Sequence, residues 1–92
     1  MLSRQPLNAI GPMVQKHRKA QRLTQEELAA RCHLAGFDIG RETVSQIERQ
    51  VRGVSDLEWI LLAKALRIEV SALVPDVLPK WRRDLRPPNA VE

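Results

Sequence analysis

An all-α domain of five helices is the architecture that this chain should build. Thr24 with Glu27 and Ser55 with Glu58 each place a hydroxyl residue three positions before a glutamate, the spacing of a reciprocal helix N-cap. Aliphatic residues recur near helical spacing beyond both. An apolar content of 43% with one Phe, two Trp and no Tyr suits helix packing, and 92 residues suit one domain with a modest core.

The elements follow in order. Gly11 and Pro12 read as N-cap and first helical position, since proline's missing N–H is not needed there, and open a helix from Pro12 to about Arg22. The second helix starts at Gln25, turns Leu28, Ala29 and Cys32 inward and ends near His33. A loop from Leu34 to Gly40 leads to a third helix, Arg41 to Arg49, polar except for the narrow stripe of Val44 and Ile47. The fourth, opened by Ser55, should bury Leu57, Ile60, Leu61, Ala63 and Leu66. Ser71 caps a last short helix through Leu73 and Val74, limited by Pro75 and Pro79. The chain thus divides into an N-terminal arm, 1–9, a helical centre, 10–77, and a basic, Pro-containing tail, 78–92.

Charge points to an anionic partner, although a net +4 also suits an ordinary soluble protein. Its distribution is more telling. No acid precedes Glu26, whereas Arg4, Lys16, Arg18, Lys19 and Arg22 do, and Lys80, Arg82, Arg83 and Arg86 load the tail. A single Cys32 allows no internal disulfide, and with His17 and His33 it forms no metal-ligand spacing, which implies a reducing, cytoplasmic setting without a metal. Cys32 reads as a small core residue and His17 as a solvated or phosphate-facing group. Neither a membrane span nor a signal-peptide core is present in the sequence. With no phosphate-binding glycine loop and no nucleophile paired to a base, an enzyme is not expected, nor a cofactor.

Three motifs stand in order: R-K-x-x-x-L-T-Q-E-E-L-A from Arg18, R-x-T-x-S-x-I-E from Arg41, and S-D-L-E-x-x-x-x-A-K-A-L from Ser55. Together they resemble the Cro and lambda-repressor class of helix-turn-helix regulators, over about Ile10 to Val74. The resemblance implies a five-helix domain whose third helix enters the DNA major groove while the second crosses the backbone. Two departures stand out. The segment CHLAGFDIG is about five residues longer than the family's usual turn and resembles a subset with an L-x-G-x-D-I-S-R pattern. Counting back from Glu48 then makes Gly40 the N-cap of the third helix, where the family usually has Ser or Thr. Gln50 stands where the family commonly has glycine, so a left-handed end there carries strain unless Gly53 takes over the turn.

The third helix is the expected reading face. Arg41 can pair bidentately with guanine O6 and N7, or bind a phosphate, or remain solvated. Gln46 can read adenine, or be an ordinary surface glutamine. Glu42 can accept from cytosine N4, but favouring the positive end of the helix dipole is the preferred role. Thr43 and Ser45 can donate to phosphates or bases, and Gln25 to a phosphate at the start of the second helix. Arg49 and Arg52 follow where a phosphate strand would pass, or simply solubilise. The resemblance also implies a structural Arg18–Glu48 pair that orients the third helix.

The expected function is a sequence-specific transcriptional regulator, most simply a repressor, acting as a homodimer on double-stranded DNA bearing a short inverted repeat. A protein-interaction module, such as the antitoxin of a toxin–antitoxin pair or a transcription adaptor, is the alternative. For the tail three uses compete: an arm along DNA, an element completing a dimer, or a peptide docking a protein partner through Trp81.

Overall fold

Both predicted capping boxes form. The Thr24 hydroxyl accepts from the Glu27 N–H at 3.0 Å while the Glu27 carboxylate accepts from the Thr24 N–H at 2.8 Å. Ser55 and Glu58 repeat the exchange at 3.2 and 3.1 Å. The structure is a computed structural model that describes residues 5–77, so the expectations for Arg4 and for the tail, with Lys80, Trp81, Arg82, Arg83, Arg86, Pro87 and Pro88, fall outside the described residues. Within that range the helices are α1, Gly11–Ala20, α2, Gln25–Leu34, α3, Arg41–Glu48, and α4, Asp56–Leu66. A single 3₁₀ turn, Val70–Leu73, takes the place of the fifth α-helix.

The four helices wrap one aliphatic core. Val14 of α1, Leu28 and Cys32 of α2, Val44 and Ile47 of α3, Leu62 and Leu66 of α4 and Leu73 of the 3₁₀ turn are all sealed from solvent. Burial pushes the Cys32 thiol up to about 11, so it stays neutral and packs as a small apolar group.

Three local expectations change. The N-cap of α1 is Ile10 rather than Gly11, because the Ile10 carbonyl already accepts from the Met13 and Val14 N–H groups. Gly11 serves a different purpose: a Cβ there would run into the Ile47 carbonyl, so the missing side chain lets α1 touch the end of α3. Ser71 lies inside the 3₁₀ turn and caps nothing; Glu69 is the N-cap residue and bonds through no side chain. On α4, Leu62 and Ala65 are buried, while Leu57 and Ile60 point outward at 60% and 46% exposure. In that helix only Asp56, Glu58 and Lys64 are polar, so the sequence pattern did not fix which side faces the core.

All four helices end alike. The N–H groups of Leu23, Phe37, Val51 and Ile68 reach back to the carbonyls of Arg18, Cys32, Gln46 and Ala63 at 3.0, 2.8, 3.0 and 3.0 Å, the six-to-one bond of a Schellman motif. The residue before each donor is left-handed: Arg22 at φ 58°, Gly36 at 95°, Gln50 at 62° and Arg67 at 58°. Glycine occupies this place in α2 alone. Gln50 therefore carries the left-handed end of α3 itself, and Gly53 does not take it over.

Candidate nucleic-acid interface

A recognition helix must be held rigidly on one side and open on the other. On α3 Val44, Ile47 and Glu48 are buried, and Arg41, Glu42 and Arg49 are exposed, with Ser45 and Gln46 half-buried beside them on the outer arc and Thr43 half-buried at its flank. Gly40 is the N-cap, in extended backbone and without a side-chain hydrogen bond. That leaves the first N–H groups of α3 without a side-chain acceptor.

Two polar clasps hold the inner side. The first is Arg18 on Glu48: Nε donates to Oε2 at 2.6 Å and Nη2 to Oε1 at 3.0 Å, while Nη1 donates to the Leu23 carbonyl at 2.8 Å. Both residues are nearly closed to solvent, Arg18 at 8% and Glu48 at 7% exposure, so the bidentate geometry compensates two desolvated charges. Gln25 adds a third bond to the same carboxylate, Nε2 to Oε1 at 3.0 Å, which fixes the start of α2 against the end of α3.

The second clasp centres on Asn8, a residue that the sequence assigns to the arm and that the structure buries at 6% exposure. Its Oδ1 accepts from the Gly11 N–H at 2.7 Å, and its Nδ2 donates to the carbonyls of Ile47 and Arg52 at 3.0 and 2.8 Å. Gln50 Nε2 donates to the Asn8 carbonyl at 3.0 Å, and the Leu7 N–H to the Gln50 carbonyl at 2.9 Å. One asparagine thus satisfies the start of α1 and the carbonyls that follow from α3. Nothing local in the sequence marks its hold on α3, because the two carbonyls to which it donates lie about forty residues away.

The outer face is polar throughout. Arg49 Nε donates to Ser45 Oγ at 3.1 Å and its Nη2 lies 3.8 Å from the Glu42 carboxylate, so these three side chains form one exposed row. Being exposed, that ion pair opens readily toward a competing anion. Arg41 makes no ion pair among the described residues. Arg52 is engaged differently from what the sequence suggested. Its guanidinium forks onto Glu58 at 3.1 and 3.2 Å and also donates to the Gly53 carbonyl at 3.0 Å. The hydrogen bond from Arg52 holds the Glu58 carboxyl below its usual range, against a smaller opposing effect of burial. His17 also turns inward, its Nε2–H donating to the Ala72 carbonyl at 3.2 Å and tying α1 to the 3₁₀ turn. His33 stays exposed, 3.3 Å from Asp38.

Comparison with known proteins places this geometry. A family model described as helix-turn-helix matches residues 14–73. The restriction-modification controller protein C.AhdI from Aeromonas hydrophila is 39% identical, covering 70% of this chain and 86% of its own, with a TM-score of 0.59. A hypothetical transcription factor, NHTF from Neisseria, covers 94% of this chain and 97% of its own with a TM-score of 0.64; at 24% identity it shares the fold. No curated protein matches the sequence.

Proposed function

This chain belongs to the helix-turn-helix family and is a DNA-binding transcriptional regulator, and from that premise we propose that it is a sequence-specific repressor reading the major groove with α3. The single observation that carries the reading is the division of α3 into a buried, doubly clasped inner side and a wholly polar outer arc. Arg41 and Gln46 are the base-reading candidates, for guanine and adenine respectively. Ser45, Thr43 and Arg49 position the helix on phosphates, and Glu42 restrains Arg49 until a phosphate replaces it. The open N–H groups behind Gly40 donate to a phosphate oxygen.

Gln25 and Arg52 act one step back. Gln25 holds the Glu48 carboxylate and offers its remaining oxygen and the α2 N-terminus toward the backbone. Arg52 supports the start of α4 through Glu58 more than it serves DNA. The regulator works in the cytoplasm as a homodimer on an inverted repeat, since one module this small falls short of typical specific affinities of about 10⁻⁸ M or tighter. The likeness to a restriction-modification controller supports action at its own or an adjacent promoter.

Selection of bound duplexes from a random pool at physiological salt tests this reading. An enriched inverted repeat supports it, and its half-site spacing gives the dimer geometry. A pool that stays random after selection overturns it.

A further inference from the structure

We propose that the cleft between the C-terminal ends of α2 and α4 docks an acidic segment of another protein, one that carries two carboxylates beside an apolar side chain. This surface is separate from the reading face and goes beyond DNA binding.

The cleft has a volume of about 370 Å³ and is lined by Arg31, Leu34 and Ala35 from the end of α2 and by Lys64, Ala65 and Arg67 from the end of α4. Every charged residue in that lining is a cation. None of the three forms an ion pair among the described residues, and Glu27, one turn before Arg31, is committed to the Thr24 cap. Arg31 is half-buried and held in place: Gln21 Nε2 donates to the Leu66 carbonyl at 2.6 Å, and Gln21 Oε1 accepts from Arg31 Nη1 at 2.9 Å. Its Nε and Nη2 have no acceptor among the described residues. A guanidinium fixed in this way is prepared for a carboxylate.

Cations near helix C-termini ordinarily offset the helix dipole, and magnitude decides whether that is all they do here. Two helix ends supply roughly one negative charge between them, so three cations leave about two positive charges in excess. Dipole compensation also gives no reason for Gln21 to hold Arg31, or for cations of two helices to converge on one cleft.

Shape and charge choose the occupant. The cleft is open, with the small Ala35 and Ala65 between its charges, so it covers one or two side chains of a partner and does not enclose roughly 70–90% of a ligand's surface as small-molecule sites do. Leu34 stands at its edge at 86% exposure, the most exposed large apolar residue among the described residues. It suits an apolar side chain, which the phosphate backbone of DNA lacks. α3 contributes nothing to the cleft, and Arg31 lies about 9 Å along the axis of α2 beyond Gln25, the residue turned toward the DNA backbone. The chain's own tail is unsuited by charge, because 78–92 carries Lys80, Arg82, Arg83 and Arg86 against Asp84 and Glu92. An acidic partner is complementary where the tail is not.

Fluorescence anisotropy of a labelled peptide of alternating aspartate and leucine, titrated with the full chain in the absence of DNA, tests this. The wild type should bind it, and the peptide should move the amide resonances of Arg31, Leu34, Ala35, Lys64 and Arg67. Lys64→Glu and Arg67→Glu should each weaken binding about tenfold, and Leu34→Ser roughly threefold. All three side chains are exposed, so helical circular dichroism should stay intact in these variants. Arg41→Ala should bind the peptide as the wild type does. A wild type that ignores the peptide, charge reversals that bind it unchanged, or equal binding of an asparagine–leucine peptide would overturn the assignment. So would inorganic pyrophosphate that binds as tightly at the same resonances, which marks a small-anion site, or a duplex that moves them, which marks a DNA surface. Lys64→Glu and Arg67→Glu should select the same duplexes as the wild type, so failure here is distinct from failure of the base-reading role of α3.

Discussion

Arg18 on the first helix and Glu48 on the third are joined by two hydrogen bonds of 2.6 and 3.0 Å in a site that excludes water. Removing one partner strands the other charge. Arg18→Ala should lower the unfolding free energy by about 3–5 kcal/mol, and Glu48→Ala by a similar amount. Replacing both with apolar residues, Arg18→Met with Glu48→Leu, should recover much of the loss. Denaturant unfolding of the three proteins checks this, and equal losses in the double and single variants would mean that the pair is not acting as a unit.

Gly11→Ala should go against helix propensity. Alanine is favoured inside a helix by about 1 kcal/mol, yet here its methyl meets the Ile47 carbonyl and sits 3.0 Å from the Glu48 carbonyl oxygen and from Gln50 Cγ. A net loss of about 1–3 kcal/mol is expected, because backbone on both sides must shift. Gly53→Ala is the control: its Cβ would lie 3.7 Å from the Leu7 carbonyl oxygen, an ordinary contact. Its melting temperature should barely change.

The left-handed helix ends give a prediction of opposite sign. Arg67 is exposed at φ 58°, so Arg67→Gly should stabilise by roughly 0.5–1 kcal/mol through relief of backbone strain. Gln50→Gly relieves similar strain but loses the 3.0 Å bond to the Asn8 carbonyl, and its net effect should be near zero. Gly36→Ala should destabilise despite open space around it, since φ there is 95°. Thermal melts of the three variants order them.

What sequence could and could not reveal follows from the range of each interaction. The capping boxes of α2 and α4 were readable because both partners lie within four residues of each other. Gly40 as the N-cap of α3 was readable once the register was anchored on Glu48. Asn8 was not, because its role exists only when α1 and α3 meet. Nor were the left-handed residues Arg22 and Arg67, where side chains stand in the conformation that usually advertises itself by glycine, whereas Gln50 was marked only by the family resemblance. On α4, apolar residues on every side left the phase of the helix open, and packing alone chose Leu62 over Ile60.

Acid should report on Glu58. Its folded carboxyl titrates below its unfolded range, so the folded state binds fewer protons there and stability rises with pH across that window. The contribution is complete above the unfolded value, about 4.3, and fades as pH falls through the folded one. Arg52→Ala removes the main cause, so the gap in unfolding midpoint between wild type and variant should narrow from pH 6 toward about pH 3. A gap independent of pH would mean that Arg52 stabilises by packing alone.

Arg41 at the start of α3 and Arg49 at its C-cap should fail differently. Arg41→Ala should relax preference at one base position, losing ~1–3 kcal/mol of discrimination there. Arg49→Ala should weaken binding to all duplexes alike and reduce the salt slope by about one. Titrations at several salt concentrations, against the selected site and single-base variants of it, separate the two; matching profiles would refute the division of labour between them.

Gly40 leaves the first amides of α3 without a side-chain partner among the described residues, and a Cβ at that position would meet nothing within 4 Å. A serine would fit, and its hydroxyl would take one of those donors. The folded protein would then be sturdier before it met its target, and the target would compete with the protein's own side chain for the same hydrogen. On the proposed reading, residue 40 is therefore a dial that trades thermal endurance for grip on the nucleic acid, with glycine set toward grip.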